Sequence, residues 1–207
     1  MDHAIELKKE EDQFEEMIQG LIDNRFGCSD TFFDASIITG LQKNIHNLCD
    51  TNQMQTARMG SKSDLNLDTT FRGDTIKWIE KNTINSFETQ FLKKVENFKN
   101  HLNKTCFTSI VDFESHYANY EQNSFYKRHI DQFKSDKGRQ YSLVLYLNTD
   151  WLLEDGGLLS LYPEGLKQSD ISPLGGRMVF FKSDEMEHEV HPSFTRKRLS
   201  IAGWLKS

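Results

Sequence analysis

The second half of the chain carries histidines and an aspartate with the spacing of a metal site. His129 and Asp131 lie two positions apart, so in an extended segment both side chains point to the same side, while Ile130 points away. A histidine on a later strand, His188 or His191, would complete one face of an octahedron. Two imidazoles and one carboxylate leave three coordination positions open, an arrangement typical of non-haem Fe(II) oxygenases.

Each of these residues has a simpler interpretation when it is taken alone. An H-x-D tripeptide is common, and a single histidine is more often a structural residue than a ligand. Arg198 ends a basic run at 195–198 that is typical of a solvated edge. The order of the motifs favours the metal site, because H-x-D precedes a strand, a histidine lies on a later strand, and Arg198 lies on the strand after that.

The composition is that of a globular protein and argues against several function classes. The 207 residues include 25 Lys and Arg against 31 Asp and Glu, a formal net charge of −6, which does not fit a nucleic-acid-binding module driven by positive charge. No apolar run approaches the length of a membrane span, and the N-terminal segment lacks the apolar core of a secretory signal. We therefore expect a cytoplasmic protein without nucleic-acid or membrane partners.

Helical patterns come first along the chain and strand patterns follow. Apolar residues three and four apart predict helices over 5–24, 34–48 and 86–102. Alternating apolar residues and short apolar runs predict six strands, at 107–120, 141–147, 157–162, 177–181, 187–190 and 198–204. The sequence thus predicts a sandwich or barrel packed against helices, with a mobile loop between Met59 and Asp74.

The chain length fits one domain. Its three prolines all lie in the last quarter of the sequence, so no proline-rich linker divides the chain. We expect a lead-in over residues 1–13 and a single domain over 14–207. Within that domain, a helical support over 14–105 would precede a barrel core over 106–207.

Five segments of the chain match one known family in their order and spacing. They are RGDTIKWI at 72–79, YKRHID at 126–131, YLNTDW at 146–151, GGLLSLYPEG at 156–165 and HEVHP at 188–192 with the strand that follows it. Together they resemble the prolyl 4-hydroxylase branch of the Fe(II)/2-oxoglutarate dioxygenases, and most closely the hypoxia-inducible-factor prolyl hydroxylases and their bacterial relatives. The resemblance extends from about residue 14 to the C-terminus.

The resemblance implies an α+β fold and a ligand set for iron. The fold would be a double-stranded β-helix, a jelly-roll or cupin-like barrel, with the N-terminal helices packed on one sheet. By position, the iron ligands would be His129, Asp131 and His188. His188 is preferred to His191 because the family pattern places the ligand first, and because residues three apart on a strand face opposite ways.

The resemblance also implies a binding site for 2-oxoglutarate. Arg198 would pair with the distal carboxylate of this cosubstrate, helped by the hydroxyl of Tyr146. Tyr120 matches a tyrosine near the iron-binding end of the cosubstrate, although the stretch from Tyr120 to His129 is one residue shorter here. Ser200 shares a strand face with Arg198 and would line the same pocket or pack beside it.

Three charged residues match the substrate side of the family. Arg72 and Asp74 follow the predicted loop, which in the resembling enzymes closes over a peptide substrate, and Arg139 matches an arginine at the substrate entrance. We expect these three residues to bind substrate. Our hypothesis at this stage is that Asp74 and Arg139 interact to shape the peptide groove, the alternative being a solvated surface pair.

The resemblance implies a peptidyl-proline 4-hydroxylase type of dioxygenase. Fe(II), 2-oxoglutarate and O2 would be required, with ascorbate as reductant, and 2-oxoglutarate would be converted to succinate and CO2. The partner would be a protein or peptide that contains proline, and related enzymes act on collagen-like peptides, ribosomal proteins and translation factors. Two alternatives remain open, a hydroxylase of a free amino acid or small molecule and a non-catalytic barrel that binds a protein.

Overall fold

The computed structural model describes residues 2–57, 71–132 and 138–207. Three helices and most of the strands lie in the order that the sequence predicts. The helices are α1 (Asp2–Asn24), α2 (Ala35–Asp50) and α3 (Ser86–Thr105), and one 3-10 turn covers Leu153–Asp155. The strands are β1 (Phe26–Ser29), β2 (Gln55–Thr56), β3 (Asp74–Trp78), β4 (Asp112–Tyr120), β5 (Tyr126–His129), β6 (Arg139–Tyr146), β7 (Leu159–Tyr162), β8 (Ser169–Ile171), β9 (Met178–Lys182), β10 (Glu187–Val190) and β11 (Arg198–Lys206).

The described strands form two antiparallel sheets. The larger has the order β1-β9-β6-β11-β4-β3-β2, and the smaller has the order β5-β10-β7-β8. From β4 onward the chain alternates between the sheets, except that β7 and β8 are neighbours in the smaller one. Four strands of each sheet therefore form a jelly roll, which confirms the predicted double-stranded β-helix.

The helices pack on the outer face of the larger sheet. Helix α3 begins at Asn85, whose side chain accepts hydrogen bonds from the backbone N–H groups of Phe87 and Glu88. Gly40 of α2 lies against the Phe87 ring so closely that a β-carbon would come within 2.2 Å of it, and this lets α2 and α3 approach each other. The apolar stripe of α3 is fully buried against the sheet and comprises Phe91, Val95, Phe98 and Leu102.

A second apolar cluster fills the space between the two sheets. It includes Tyr120, Tyr146 and Phe181, which alternate with residues of the helix-facing core along their strands, and Leu161 of the smaller sheet. The polar residues of the predicted site lie around this inner cluster. The fold therefore buries the site within the barrel and away from the helical layer.

The structure differs from the sequence prediction mainly in short strands. The strand expected from residue 107 begins at Asp112, and β1, β2, β3, β5 and β8 were not predicted. These strands have two to five residues, too few for a hydrophobic period to show. Most of the expected loop between Met59 and Asp74 lies outside the described residues. Among the helices that the structure describes, none is both long and apolar enough to cross a membrane.

Candidate active site

His129, Asp131 and His188 meet inside the barrel. His129 ends β5, Asp131 follows it after one residue, and His188 lies directly opposite His129 on β10. One ligand atom from each of the three residues lies within 4.8 Å of the others. His129 Nε2 is 3.5 Å from Asp131 Oδ1, and His188 Nε2 is 3.7 Å from Asp131 Oδ2. The three groups predicted from the sequence thus form one cluster.

Backbone carbonyls hold both imidazoles in the orientation that a metal requires. The Nδ1 atom of His129 lies 2.7 Å from the Lys127 carbonyl, and that of His188 lies 3.1 Å from the Met186 carbonyl. When Nδ1 carries the proton and donates it to a carbonyl, the lone pair is on Nε2 and points to the carboxylate. Burial lowers the pKa of His188 to about 4, so this ring is neutral, as a metal ligand must be.

A hydroxyl group fixes the carboxylate of Asp131. Burial by itself would raise the pKa of Asp131, but the two imidazoles and the Ser142 hydroxyl outweigh it and hold the pKa well below its usual value. Ser142 Oγ donates to Asp131 Oδ2 at 2.7 Å and lies 2.8 Å from Ser183 Oγ. The cluster therefore offers two imidazole nitrogens and one carboxylate oxygen, a donor set that fits Fe(II) with coordination positions left over.

Ser142→Ala should weaken iron binding. The variant removes the hydrogen bond that orients the carboxylate, and losing such an outer contact typically lowers metal affinity by about tenfold or more. The measurement is an anaerobic titration with Fe(II). Ser193→Ala is the matched control, since Ser193 is equally buried and its hydroxyl has no hydrogen-bond partner among the described residues. Equal iron affinity in both variants would contradict a role for Ser142 in orienting Asp131.

Arg198 is a buried cation that no carboxylate of the described residues neutralises. Arg198 is 2% exposed, and it takes part in none of the ion pairs of the described residues. Its Nε donates to the Gly157 carbonyl at 3.0 Å. Burying a charge without a counter-charge is costly, so this guanidinium is suited to pair with an acidic ligand.

Two tyrosines and a serine surround the Arg198 guanidinium. Its central carbon lies 4.9 Å from the ring centre of Tyr146 and 5.2 Å from that of Tyr120. The Tyr146 hydroxyl is buried, has no hydrogen-bond partner among the described residues, and has its pKa raised by burial to about 12. Ser200 lies opposite Tyr146 in the sheet. The Tyr146 hydroxyl and the Arg198 guanidinium could together bind one carboxylate group of a ligand.

Strand β6 connects the acidic-ligand end of the pocket to the metal cluster. Tyr146 and Ser142 lie on the same face of β6, four residues apart, which corresponds to about 13 Å. Between them on this inner face are Val144 on β6 and Ser200 and Ala202 on β11, with His116 of β4 opposite Ala202. A dicarboxylate that bound both Arg198 and the metal cluster would extend along this part of β6.

Arg72 and Asp74 form an ion pair beside the metal cluster. Arg72 binds the carboxylate through Nε and Nη2, at 2.7 and 2.6 Å, and Asp74 is 1% exposed. The guanidinium lies over the Tyr126 ring at 4.4 Å, and that ring stacks on His129 with centroids 3.6 Å apart. The predicted substrate residues Arg72 and Asp74 therefore lie one aromatic ring away from a candidate ligand.

The third predicted substrate residue, Arg139, has different neighbours. Its guanidinium donates to Glu114 Oε1 from Nε and Nη2, at 3.1 and 2.9 Å, and covers the Trp204 ring at 3.6 Å. The structure thus places Asp74 and Arg139 in two separate ion pairs instead of the single pair that we hypothesised. Arg72, two residues before Asp74 in the chain, already donates two hydrogen bonds to the Asp74 carboxylate.

Several residues of this site were not predicted from the sequence. Ser142 and Tyr126 contact candidate ligands, Ser183 contacts Ser142, and the Gly157 carbonyl accepts a hydrogen bond from Arg198. The one sequence signal for Ser142 is its polarity within the apolar run 141–147. His191, which the sequence analysis directs away from the metal, bonds Ser160 at 2.7 Å and is not in the cluster.

Comparison with known proteins agrees with this geometry. The profile of the 2OG-Fe(II) oxygenase superfamily matches residues 115–206. A solved prolyl-4-hydroxylase from Pseudomonas putida is similar with a TM-score of 0.85 and 29% identity, over 94% of this chain and 100% of that one. A prolyl hydroxylase from Trichoplax adhaerens, solved with a peptide fragment of the hypoxia-inducible-factor oxygen degradation domain, has a TM-score of 0.87 and 26% identity, over 97% of this chain and 92% of that one.

The barrel, the His-Asp-His cluster and the profile match over residues 115–206 are features of the 2OG-Fe(II) oxygenase superfamily. The activity that they support is that of a 2-oxoglutarate-dependent dioxygenase, a class that uses Fe(II), 2-oxoglutarate and O2. The two solved structures named above are prolyl hydroxylases of bacterial and animal origin, and the likeness to them extends over the helical layer as well as the barrel.

Proposed function

We propose that this dioxygenase hydroxylates a prolyl residue in a protein substrate. The observation that carries the proposal is the likeness to the Trichoplax enzyme, which covers nearly the whole chain and whose structure contains a bound peptide fragment. The helices and the strand β3 with the Arg72–Asp74 pair belong to the matched part.

In this proposal His129, Asp131 and His188 are the iron ligands. Bound Fe(II) supplies the activation of O2, which no amino-acid side chain provides. The protein's own part is to orient both imidazoles through the Lys127 and Met186 carbonyls. Three ligands on one face leave room for cosubstrate and oxygen.

Arg198, Tyr146, Tyr120 and Ser200 would bind 2-oxoglutarate. The guanidinium pairs with the distal carboxylate, and the Tyr146 hydroxyl donates a hydrogen bond to the same group. This contact would supply a counter-charge for Arg198 and a hydrogen-bond partner for the Tyr146 hydroxyl, neither of which the described residues provide. Tyr120 packs against the Arg198 guanidinium and excludes water, while Ser200 lines the pocket.

Arg72, Asp74 and Arg139 would form the substrate edge. The Arg72–Asp74 pair rests on Tyr126 and thereby on His129, so a peptide that packs here brings its proline close to the metal. Arg139 is fixed by Glu114 and Trp204 at the neighbouring edge.

The proposal includes ascorbate as reductant, a cytoplasmic location, and a translation factor or ribosomal protein among the candidate partners. The free cysteines of the described residues fit a reducing compartment.

Succinate formation tests the proposed substrate class. Purified protein would be incubated with Fe(II), 2-oxoglutarate and ascorbate, together with peptides that contain proline. The panel includes the hypoxia-inducible-factor fragment, a collagen-like repeat, and segments of translation factors and ribosomal proteins. We expect one peptide to stimulate succinate formation and to gain one oxygen atom by mass.

Each peptide has a control in which alanine replaces proline, and free proline is assayed in parallel. The control peptide should not stimulate turnover, and Asp74→Asn should lower stimulation by the proline peptide because it weakens the pair with Arg72. Equal stimulation by the alanine control, or stimulation by free proline alone, would contradict a prolyl protein substrate. Neither result would affect the assignment to the dioxygenases.

A further inference from the structure

His116 is a buried polar residue on the inner face of the barrel that the reaction described above does not use. It lies on β4, opposite Trp78 of β3 and Ala202 of β11, and is 4% exposed. Its Nδ1 atom has no hydrogen-bond partner among the described residues. A buried polar atom without a partner lowers stability, so its presence here calls for a functional explanation.

The position of His116 follows from the alternation of side chains along β4. Tyr120, four residues later, lies on the same face and packs on the Arg198 guanidinium. On β11, Trp204 lies six residues beyond Arg198 on one face and is paired with Ser142, which binds Asp131. The inner face thus has Arg198 at one end and Trp204, level with Ser142, at the other, and His116 lies between them, opposite Ala202 and nearer to the Trp204 end. Trp78 lies opposite His116 on β3 and is exposed, so this end of the face reaches solvent.

Three aromatic side chains form a cluster at this end, here called the aromatic wall: Trp78, His116 and Trp204. The His116 ring lies 5.0 Å from the Trp78 ring and 5.3 Å from the Trp204 ring. Trp78 is the outer member, with 43% of its surface exposed, whereas Trp204 is 7% exposed. The indole nitrogen of Trp204 is also buried without a partner among the described residues. His116 Nδ1 and the Trp204 indole nitrogen, both without a partner among the described residues, therefore lie behind the exposed indole of Trp78.

The charges around the wall leave the His116 ring neutral. Burial lowers the pKa of His116 to about 3, and Arg72 and Arg139 lower it as well, whereas Asp74 and Asp131 raise it. A neutral imidazole offers one donor and one acceptor, and the indole nitrogen offers a donor. A peptide group carries the complementary N–H and C=O. No charged substrate group is needed.

We propose that His116 is a substrate-recognition residue, which hydrogen-bonds a backbone amide of the peptide through Nδ1 once the Trp78 ring has turned away. The proposal rests on the proposed peptidyl substrate. In this proposal the aromatic wall contacts the peptide residues next to the target proline. His116 acts by holding the peptide, and it does not touch the reacting atoms.

Two substitutions separate recognition from packing. His116→Phe keeps an aromatic ring between the two indoles but removes the polar nitrogen, so the melting temperature should be unchanged or higher. With the best peptide of the panel, its KM should rise by about tenfold, the value of one hydrogen bond of about 1.4 kcal/mol, and more than the KM for 2-oxoglutarate. His116→Asn keeps a polar atom near the Nδ1 position and should recover most of the peptide affinity.

Ser115→Ala is the matched control on the same strand. Ser115 is 1% exposed and its hydroxyl is also without a partner among the described residues, but it points to the opposite face of β4. Its peptide KM should equal that of the wild type. A His116→Phe variant with wild-type peptide KM would overturn this proposal alone. Failure of the wild type to turn over any peptide would overturn the substrate class and this proposal together.

Discussion

His188→Ala should abolish succinate formation and reduce iron binding together. The substitution removes one of three ligands and leaves a histidine and a carboxylate, too few to fix Fe(II) on one face. We expect turnover at the level of an iron-free sample, with and without peptide. The measurement is succinate formation combined with the iron content of the protein after anaerobic loading.

His191→Ala is the control for this experiment. His191 lies three residues further along, and its ring bonds the Ser160 hydroxyl instead of entering the cluster. Iron content and turnover should therefore stay near those of the wild type. If both variants lost iron equally, or if His188→Ala kept full activity, the assignment of His188 as a ligand would be wrong.

Arg198→Met should raise the KM for 2-oxoglutarate by roughly a hundredfold or more. Each charge-assisted hydrogen bond contributes about 1.5–3 kcal/mol, and a guanidinium fork makes two of them to one carboxylate. Methionine fills a similar volume without charge, so the fold should be retained or even stabilised, since the buried cation is gone. Iron binding should change little. The measurement is succinate formation as a function of 2-oxoglutarate concentration, with thermal unfolding to confirm folding.

Arg198→Lys and Arg196→Lys refine the same test. Lysine at 198 keeps the charge but loses the planar fork and should give an intermediate KM. Arg196 lies two positions earlier, is partly exposed, and pairs with Asp155 in a loop. Its conversion to lysine should leave the KM for 2-oxoglutarate unchanged. An equal rise of KM in both lysine variants would argue against a specific role for Arg198.

The elements that bear strong hydrophobic periods could be predicted from the sequence. Helix α3 begins at Ser86 as predicted, and β10 has the predicted limits of Glu187 and Val190. The predicted ligands form one cluster because β10 pairs with β5, which places His188 opposite His129 although the two lie far apart in the chain. The family resemblance, and not a local period, selects His188 from the sequence.

Contacts between distant segments could not be predicted in this way. The sequence analysis pairs Asp74 with Arg139, but in the structure Asp74 pairs with Arg72 and Arg139 pairs with Glu114. A sequence shows charges without the side-chain directions that select among several partners. The same reason explains why Ser142 was missed, since its role depends on a register that places it beside Asp131.

The pairing of β6 on both sides has a consequence for which 2-oxo acids the proposed site accepts. Tyr146 and Ser142 belong to one strand that is hydrogen-bonded to β11 on one side and to β9 on the other, so their separation is fixed. We expect the site to discriminate by ligand length. Oxaloacetate, one carbon shorter than 2-oxoglutarate, should not reach from Arg198 to the metal cluster, and 2-oxoadipate, one carbon longer, should have to bend between them. Discrimination among 2-oxo acids would then follow from the hydrogen bonding of a β-strand.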